Sequence, residues 1–187
     1  MLHPEKSPAQ IDAAAALETY RINLLGPLLL LKHFSPLLPR SVRRSTSSHR
    51  SNERPDHDEN SLSEHVHGLP RHATYILMSA RVGSISDNKT QGGWYSYRSS
   101  KAGVNALAKT LDLYLRRGDV CADRAMATAM HPGTVKTGLS RAFWAGVEKG
   151  KLFEPDQAAG YLLDVVQKGG LDMRGRCWDW KGEEILP

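Results

Sequence analysis

From Ala73 onward the chain alternates short, β-prone runs with long runs of helical period, and that alternation restricts the fold more than any other feature. Thr74-Tyr75-Ile76-Leu77-Met78 reads as a buried strand, with a proline before it and small residues after it. A turn-rich stretch, 79–93, leads into a helix over about 94–117. Val104, Leu107, Leu111 and Leu115 form one stripe of that helix, and Gly118-Asp119 closes it. A second strand is expected at about 125–130, stopping at His131-Pro132-Gly133. A short helix over 138–149, a helix from Pro155-Asp156 to about Gln167 and a half-buried edge strand at 176–180 complete the series. Strands joined by helices of crossover length specify an α/β fold, a parallel sheet with helices on its faces.

The leading segment is helical in a different way. Ser7-Pro8-Ala9-Gln10 supplies a capping hydroxyl, a proline at the first helical position and a glutamine three residues after the serine. Asp12 adds a carboxylate where the helix dipole favours one. Residues 11–38 are rich in alanine and leucine, with Leu17, Ile22, Leu25, Leu28 and Leu29 at helical spacing, and Pro27 is expected to bend the helix. So apolar a helix needs cover on two faces, one by the sheet and one by a partner subunit.

Residues 41–72 contrast with both. Val42, Leu62, Val66 and Leu69 are the only aliphatic side chains there, and five arginines (43, 44, 50, 54, 71) are balanced by Glu53, Asp56, Asp58, Glu59 and Glu64. Such a stretch buries too little apolar surface to offset its ordering entropy, so a mobile, disordered insertion is expected between the helix and the strand. Five of the eight histidines fall in it: His49, His57, His65, His67 and His72. A metal site and a polar linker are the two readings. The lack of a cysteine or a regular histidine spacing favours the linker.

Composition excludes several classes of function. The 187 residues suit one domain, with 40% hydrophobic and 24% charged side chains. The +5 net charge is modest, and no lysine/arginine stripe interleaved with aromatics points to nucleic acid. Cys121 and Cys177 form no CxxC pair, which reads as free thiols in a reducing compartment. The amino terminus lacks the order of a signal or transit peptide. The most apolar run, 24–31, contains Gly26 and Pro27 and falls well short of the ~20 residues of a membrane span. A cytoplasmic protein without membrane contact is the expectation.

The chemistry centres on Tyr97 and Lys101, four apart at the start of the second long helix and so on one face of it. An ammonium beside a phenol favours the phenolate and brings the tyrosine toward use as a proton donor or acceptor near neutrality. The pair follows a serine- and glycine-containing loop that leaves a strand: Met78-Ser-Ala-Arg-Val-Gly-Ser-Ile-Ser-Asp-Asn88, then Gly92-Gly-Trp-Tyr-Ser-Tyr-Arg-Ser-Ser-Lys101-Ala-Gly-Val-Asn105. Asn23-Leu-Leu-Gly-Pro27 lies upstream and His131-Pro-Gly-Thr-Val-Lys-Thr137 downstream. In this order and register the chain resembles the short-chain dehydrogenase/reductase family, in its carbonyl-reductase-like branch related to the C-signal and sniffer proteins. The resemblance covers nearly everything outside 41–72.

It implies the C-terminal part of a Rossmann-like, doubly wound parallel sheet. It also implies oxidation of an alcohol or reduction of a carbonyl with NADP or NAD. Tyr97 matches the catalytic acid/base. Lys101 matches the residue that lowers its pKa and binds the nicotinamide ribose. Asn23 matches the asparagine that holds a water in the proton relay. Pro132, Gly133, Val135 and Thr137 match the loop over the nicotinamide. The carbonyl-polarising serine is less defined. The family's Ser-Ser place reads Ser79-Ala80, and Ser84, in the loop facing the site, is slightly preferred to Ser79. Leu139, Phe143 and Trp144 in the substrate loop suit an apolar carbonyl compound, and the two long helices would pair in a homodimer.

The family's glycine-rich pyrophosphate turn has no counterpart, since no GxGxxG or TGxxxGxG spacing occurs and Gly26 is the only glycine in the first 67 residues. The expectation is a single incomplete domain over 1–187, truncated at the N-terminal dinucleotide-binding half. It would have poor cofactor binding, marginal solubility and an unpaired edge on the strand at 73–79. The alternative to an enzyme is a non-catalytic remnant that acts as an interaction module.

Overall fold

A computed structural model describes residues 4–39, 70–89, 92–117 and 123–187. The expected insertion lies outside the described residues except for 70–72, as do Cys121 and the histidines at 49, 57, 65 and 67. In chain order the main elements are α1 (Ala13–Tyr20), a π-helical turn (Arg21–Leu25), α2 (Gly26–Phe34), β1 (Ala73–Met78) and α3 (Tyr95–Leu115). They continue with β2 (Ala125–His131), β3 (Thr134–Val135), β4 (Leu152–Phe153), α4 (Pro155–Lys168), β5 (Cys177–Asp179) and β6 (Glu184–Ile185).

The main sheet runs β1-β2-β5-β6. β1 pairs parallel with β2 from Ala73↔Ala125 to Met78↔Met130, and β5 joins the other side of β2 in parallel. β6 returns antiparallel on β5, so the sheet is mixed and β5 is an interior strand, not the expected edge. β3 and β4 form a separate parallel pair. The expected short helix after Gly138 is a 3₁₀ helix, Arg141–Gly146.

β2 explains how the layers stack. Its side chains alternate between the two faces, and both faces are covered. Met126 and Met130 pack with Val165 of α4 and with Met173. On the other face Ala129 meets Val104 and Ala108 of α3, Leu77 of β1, Cys177 and Ile185. Alanines at 125, 127 and 129 let α3 approach the sheet closely. The Asp112 carboxylate ties helix to sheet. It is fully buried, accepts from Arg174 Nε at 2.9 Å and Arg116 Nε at 2.8 Å, and takes the Ala127 amide at 3.4 Å.

The Ser7-Pro8 start opens only a 3₁₀ turn, Pro8–Gln10, and the leading α-helix begins after it, at Ala13, capped by Asp12 Oδ1 on the Ala15 amide at 2.8 Å. The helix is interrupted by a π-helical turn, Arg21–Leu25, ahead of Pro27. Proline has no N–H to give the Asn23 carbonyl, and the backbone widens before it, with the Gly26 amide reaching back five residues to the Arg21 carbonyl. Leu17, Ile22 and Leu25 remain exposed, as do Leu28, Leu29, Leu30 and Phe34, so the second covered face that the sequence calls for is not supplied by the described residues.

Candidate active site

The site lies where ligands collect in open α/β sheets, beyond the carboxyl ends of parallel strands. A cavity of about 870 Å³ opens there between Met78-Ser79, at the end of β1, and His131-Pro132-Gly133, at the end of β2. Tyr97 and Lys101 line it from the first two turns of α3, and Pro132, Gly133, Val135 and Thr137 line it from the opposite side. Trp94 and Phe143 give it an aromatic wall, their rings 4.9 Å apart, and Trp94 also meets the Tyr97 ring edge-on at 5.9 Å.

Two backbone features aim these groups. Trp94 takes a left-handed conformation (φ 59°) just before α3, and its amide donates to the Glu5 carbonyl at 2.6 Å. Gly93 beside it (φ +89°) would place a Cβ 2.7 Å from that same carbonyl, so only glycine lets the N-terminal segment brace the helix start. Gly133 (φ +77°) turns the chain after β2, and a Cβ there would lie 2.6 Å from the Phe153 ring.

Lys101 Nζ donates to the Met78 carbonyl at 3.0 Å and sits 5.8 Å from the centre of the Tyr97 ring. Burial sets the titration of both groups. It pushes the Tyr97 phenol above its ordinary value near 10 and the Lys101 ammonium below its own. The downward pull on Tyr97 expected from the lysine is not seen; desolvation raises the phenol instead.

The two serines separate clearly. Ser79 lines the cavity, with its Oγ donating to Asn105 Oδ1 at 2.6 Å. Ser84 does not line it: its hydroxyl points to the C-terminal segment, donating to the Leu186 carbonyl at 2.5 Å and accepting the Asp87 amide at 3.0 Å. Of the two, Ser79 is the one whose side chain the fold brings to the cavity. Asn23 is buried in the π-turn and also stands back from the cavity. Its Nδ2 donates to Ser100 Oγ at 3.2 Å, one residue before Lys101.

Sequence reasoning missed Trp94, Arg98 and His131, which all line the cavity. His131 Nδ1 is buried without a hydrogen-bond partner. Burial and the nearby Arg81 charge depress its pKa to about 4, against the opposing effect of Asp179, so the ring is neutral near pH 7. Its only sequence signal was its place before Pro132. The Cys177 thiol is free and buried, its pKa raised to about 11 by desolvation, which keeps it a thiol. Among the described residues no group of three or more His, Cys, Asp or Glu could hold a metal ion, and no helix is long and apolar enough to cross a membrane.

No family model matches the chain. It is 27% identical over 175 residues to the C-signal protein of Myxococcus xanthus, covering 94% of this chain and 80% of that one. Its structure is similar to the carbonyl reductase sniffer of D. melanogaster, with a TM-score of 0.71 at 23% identity, covering 100% of this chain and 63% of that one. It is similar to the same degree, TM-score 0.71 and 23% identity, to an NADPH-bound carbonyl reductase from chicken fatty liver, of which it covers 62%. The chain thus spans about three-fifths of the length of the solved structures it matches.

Proposed function

We propose that this chain, a member of the short-chain dehydrogenase/reductase superfamily in its carbonyl-reductase branch, serves NAD(P)H-dependent reduction of carbonyl compounds with Tyr97 as the proton donor. The observation that carries this reading is the convergence of Tyr97, Lys101, Ser79 and the loop from Pro132 to Thr137 on one cavity at the carboxyl end of the sheet.

The residues present fit the nicotinamide end of a dinucleotide. The cavity is roomy, its loop side is shaped by an obligatory glycine, and Lys101 presents an ammonium to it. Lys101 would hold the ribose, and Pro132, Gly133, Val135 and Thr137 the ring and its carboxamide. The sequence offers no glycine-rich turn for the pyrophosphate, so the affinity of this chain for NADP or NAD is expected to be weak. The cofactor, when bound, supplies the hydride.

Burial keeps the Tyr97 phenol protonated, which is the state a donor needs. Its Oη gives the proton to the substrate oxygen as that oxygen gains negative charge. Lys101 stabilises the phenolate left behind, and Ser79, swung from Asn105, steadies the carbonyl oxygen. Asn23 acts one layer back, holding the helix turn that carries Lys101 through Ser100.

The pH dependence follows from the two shifts. A raised Tyr97 pKa retains the proton into the alkaline range, and a lowered Lys101 pKa moves the loss of its charge toward neutrality. Reduction is expected to decline on the alkaline side as the lysine loses its charge. Loss of NADPH absorbance on mixing with a panel of aldehydes and ketones is the direct assay. Tyr97→Phe should lower the turnover by about 10²- to 10⁴-fold, and an unchanged rate would remove Tyr97 from the chemistry. The open apolar side of α1 and α2 supports a second reading, an interaction module that pairs through these helices. A chain that self-associates but gives no NADPH-dependent turnover would favour it.

A further inference from the structure

We propose that the substrate carries an anionic group, a carboxylate in the simplest case, and that Arg98 anchors it; this rests on the oxidoreductase reading above. Arg98 follows Tyr97 directly and lines the same cavity. Two backbone carbonyls aim its guanidinium: Nε donates to Gly93 O at 3.1 Å and Nη1 to Val82 O at 3.3 Å. Those bonds fix the orientation but bring no counter-charge. Among the described residues no carboxylate pairs with Arg98, and Nη2 has no acceptor. Glu5, the acid nearest the helix start in hydrogen-bonding terms, is turned to the Ser96 amide.

The other charges of the cavity leave this one standing out. Arg81 bridges Asp87 at 3.2 Å and Asp179 at 2.7 Å, and among the described residues Asp87 is the only carboxylate on the lining. Lys101 is held by the Met78 carbonyl. Lys89 lines the same side as Arg98 and also lacks an acidic partner among the described residues. A rigid guanidinium with an open edge is matched by a planar, two-oxygen anion. Trp94 and Phe143 beside it are matched by an aromatic or aliphatic body. The substrate class is therefore an oxo-acid with an apolar group, bound with its carboxylate on Arg98 and its carbonyl toward Tyr97.

Isothermal titration calorimetry with phenylglyoxylate and with its uncharged methyl ester tests this without requiring turnover. The acid should bind at least about tenfold more tightly than the ester, as expected for one charge-assisted contact, and raised salt should narrow the gap. Arg98→Gln should abolish the difference, and Arg98→Lys should restore part of it. Equal binding of acid and ester, a preference that survives in Arg98→Gln, or no binding of either would overturn the inference. So would an Arg98→Gln variant that weakens NADP⁺ binding alone, because the charge would then serve the dinucleotide. NADPH-dependent turnover of neutral ketones with no preference for the acid would overturn the anion site and leave the oxidoreductase reading intact. An Arg98-dependent preference for the acid with no turnover of any carbonyl would support the anion site and defeat that reading.

Discussion

β1 and β2 are neighbours in one sheet, parallel and paired over six positions, yet they live in different surroundings. Ala127, Thr128, Ala129 and Met130 of β2 have no exposed surface, whereas Ile76 and Met78 of β1 are 38% and 47% exposed. By intrinsic preference the order should be reversed, because Ala-Thr-Tyr-Ile-Leu-Met is a better strand sequence than Ala-Met-Ala-Thr-Ala-Met. Cover decides. β2 has a strand on each side, α3 on one face and α4 on the other. Among the described residues β1 has β2 on one side only, and the face that carries Ile76 and Met78 is left open. The functional groups follow the same division: the cavity is anchored to the carboxyl end of the covered strand and to the helix packed on it.

The covered side should therefore be brittle. Asp112 is its tightest point, a buried carboxylate with two arginines and a β2 amide on it. Asp112→Ala removes the acceptor of the Arg174 Nε–H and of the Ala127 amide and should destabilise the fold by about 3–5 kcal/mol. Urea unfolding would show this, and a loss below about 1 kcal/mol would mean that helix and sheet are held by apolar packing alone. Ala129→Leu should cost less, about 1–3 kcal/mol, by forcing α3 off the sheet. A neutral result would show that the interface between α3 and β2 is looser than its alanines imply.

The contrast also accounts for what could be read from the sequence. The order of strands and helices was legible because each depends on its own period, and Tyr97 and Lys101 were legible because one helix sets their relation. Contacts across the chain were not. Ser84 was preferred to Ser79 on its loop position, but the segment that claims its hydroxyl, through Leu186, arrives from the other end of the sequence. β6 went unread for a related reason, since a strand of two residues has no period. The π-helical turn around Asn23 precedes Pro27, because a missing N–H is felt by a carbonyl four residues back. Trp94 gave no sign of its left-handed backbone, which glycine or asparagine would have signalled.

The two serines allow a finer test. Ser84→Ala removes a buried donor and should cost about 1 kcal/mol of stability while leaving turnover alone. Ser79→Ala should lower turnover, with a similar effect on stability through its lost bond to Asn105. Thermal unfolding and NADPH oxidation measured on both variants separate the roles. Equal turnover in both would remove serine from the mechanism.

The smallest effect belongs to the open strand. Ile76→Thr keeps a β-branched side chain and exchanges the ethyl branch of a partly exposed side chain for a hydroxyl. If β1 is as open in solution as its surface implies, the substitution should change stability by no more than about 0.5 kcal/mol in urea unfolding. It should also reduce concentration-dependent self-association in sedimentation, because Ile76 and Met78 lie on a strand that, among the described residues, has no partner on one side, an edge of the kind that recruits other chains. The same change at Thr128's neighbour Ala129 could not be silent, since no surface there is free to hydrate a hydroxyl. A loss of 2 kcal/mol or so from Ile76→Thr would place β1 under cover after all and erase the distinction between the two strands.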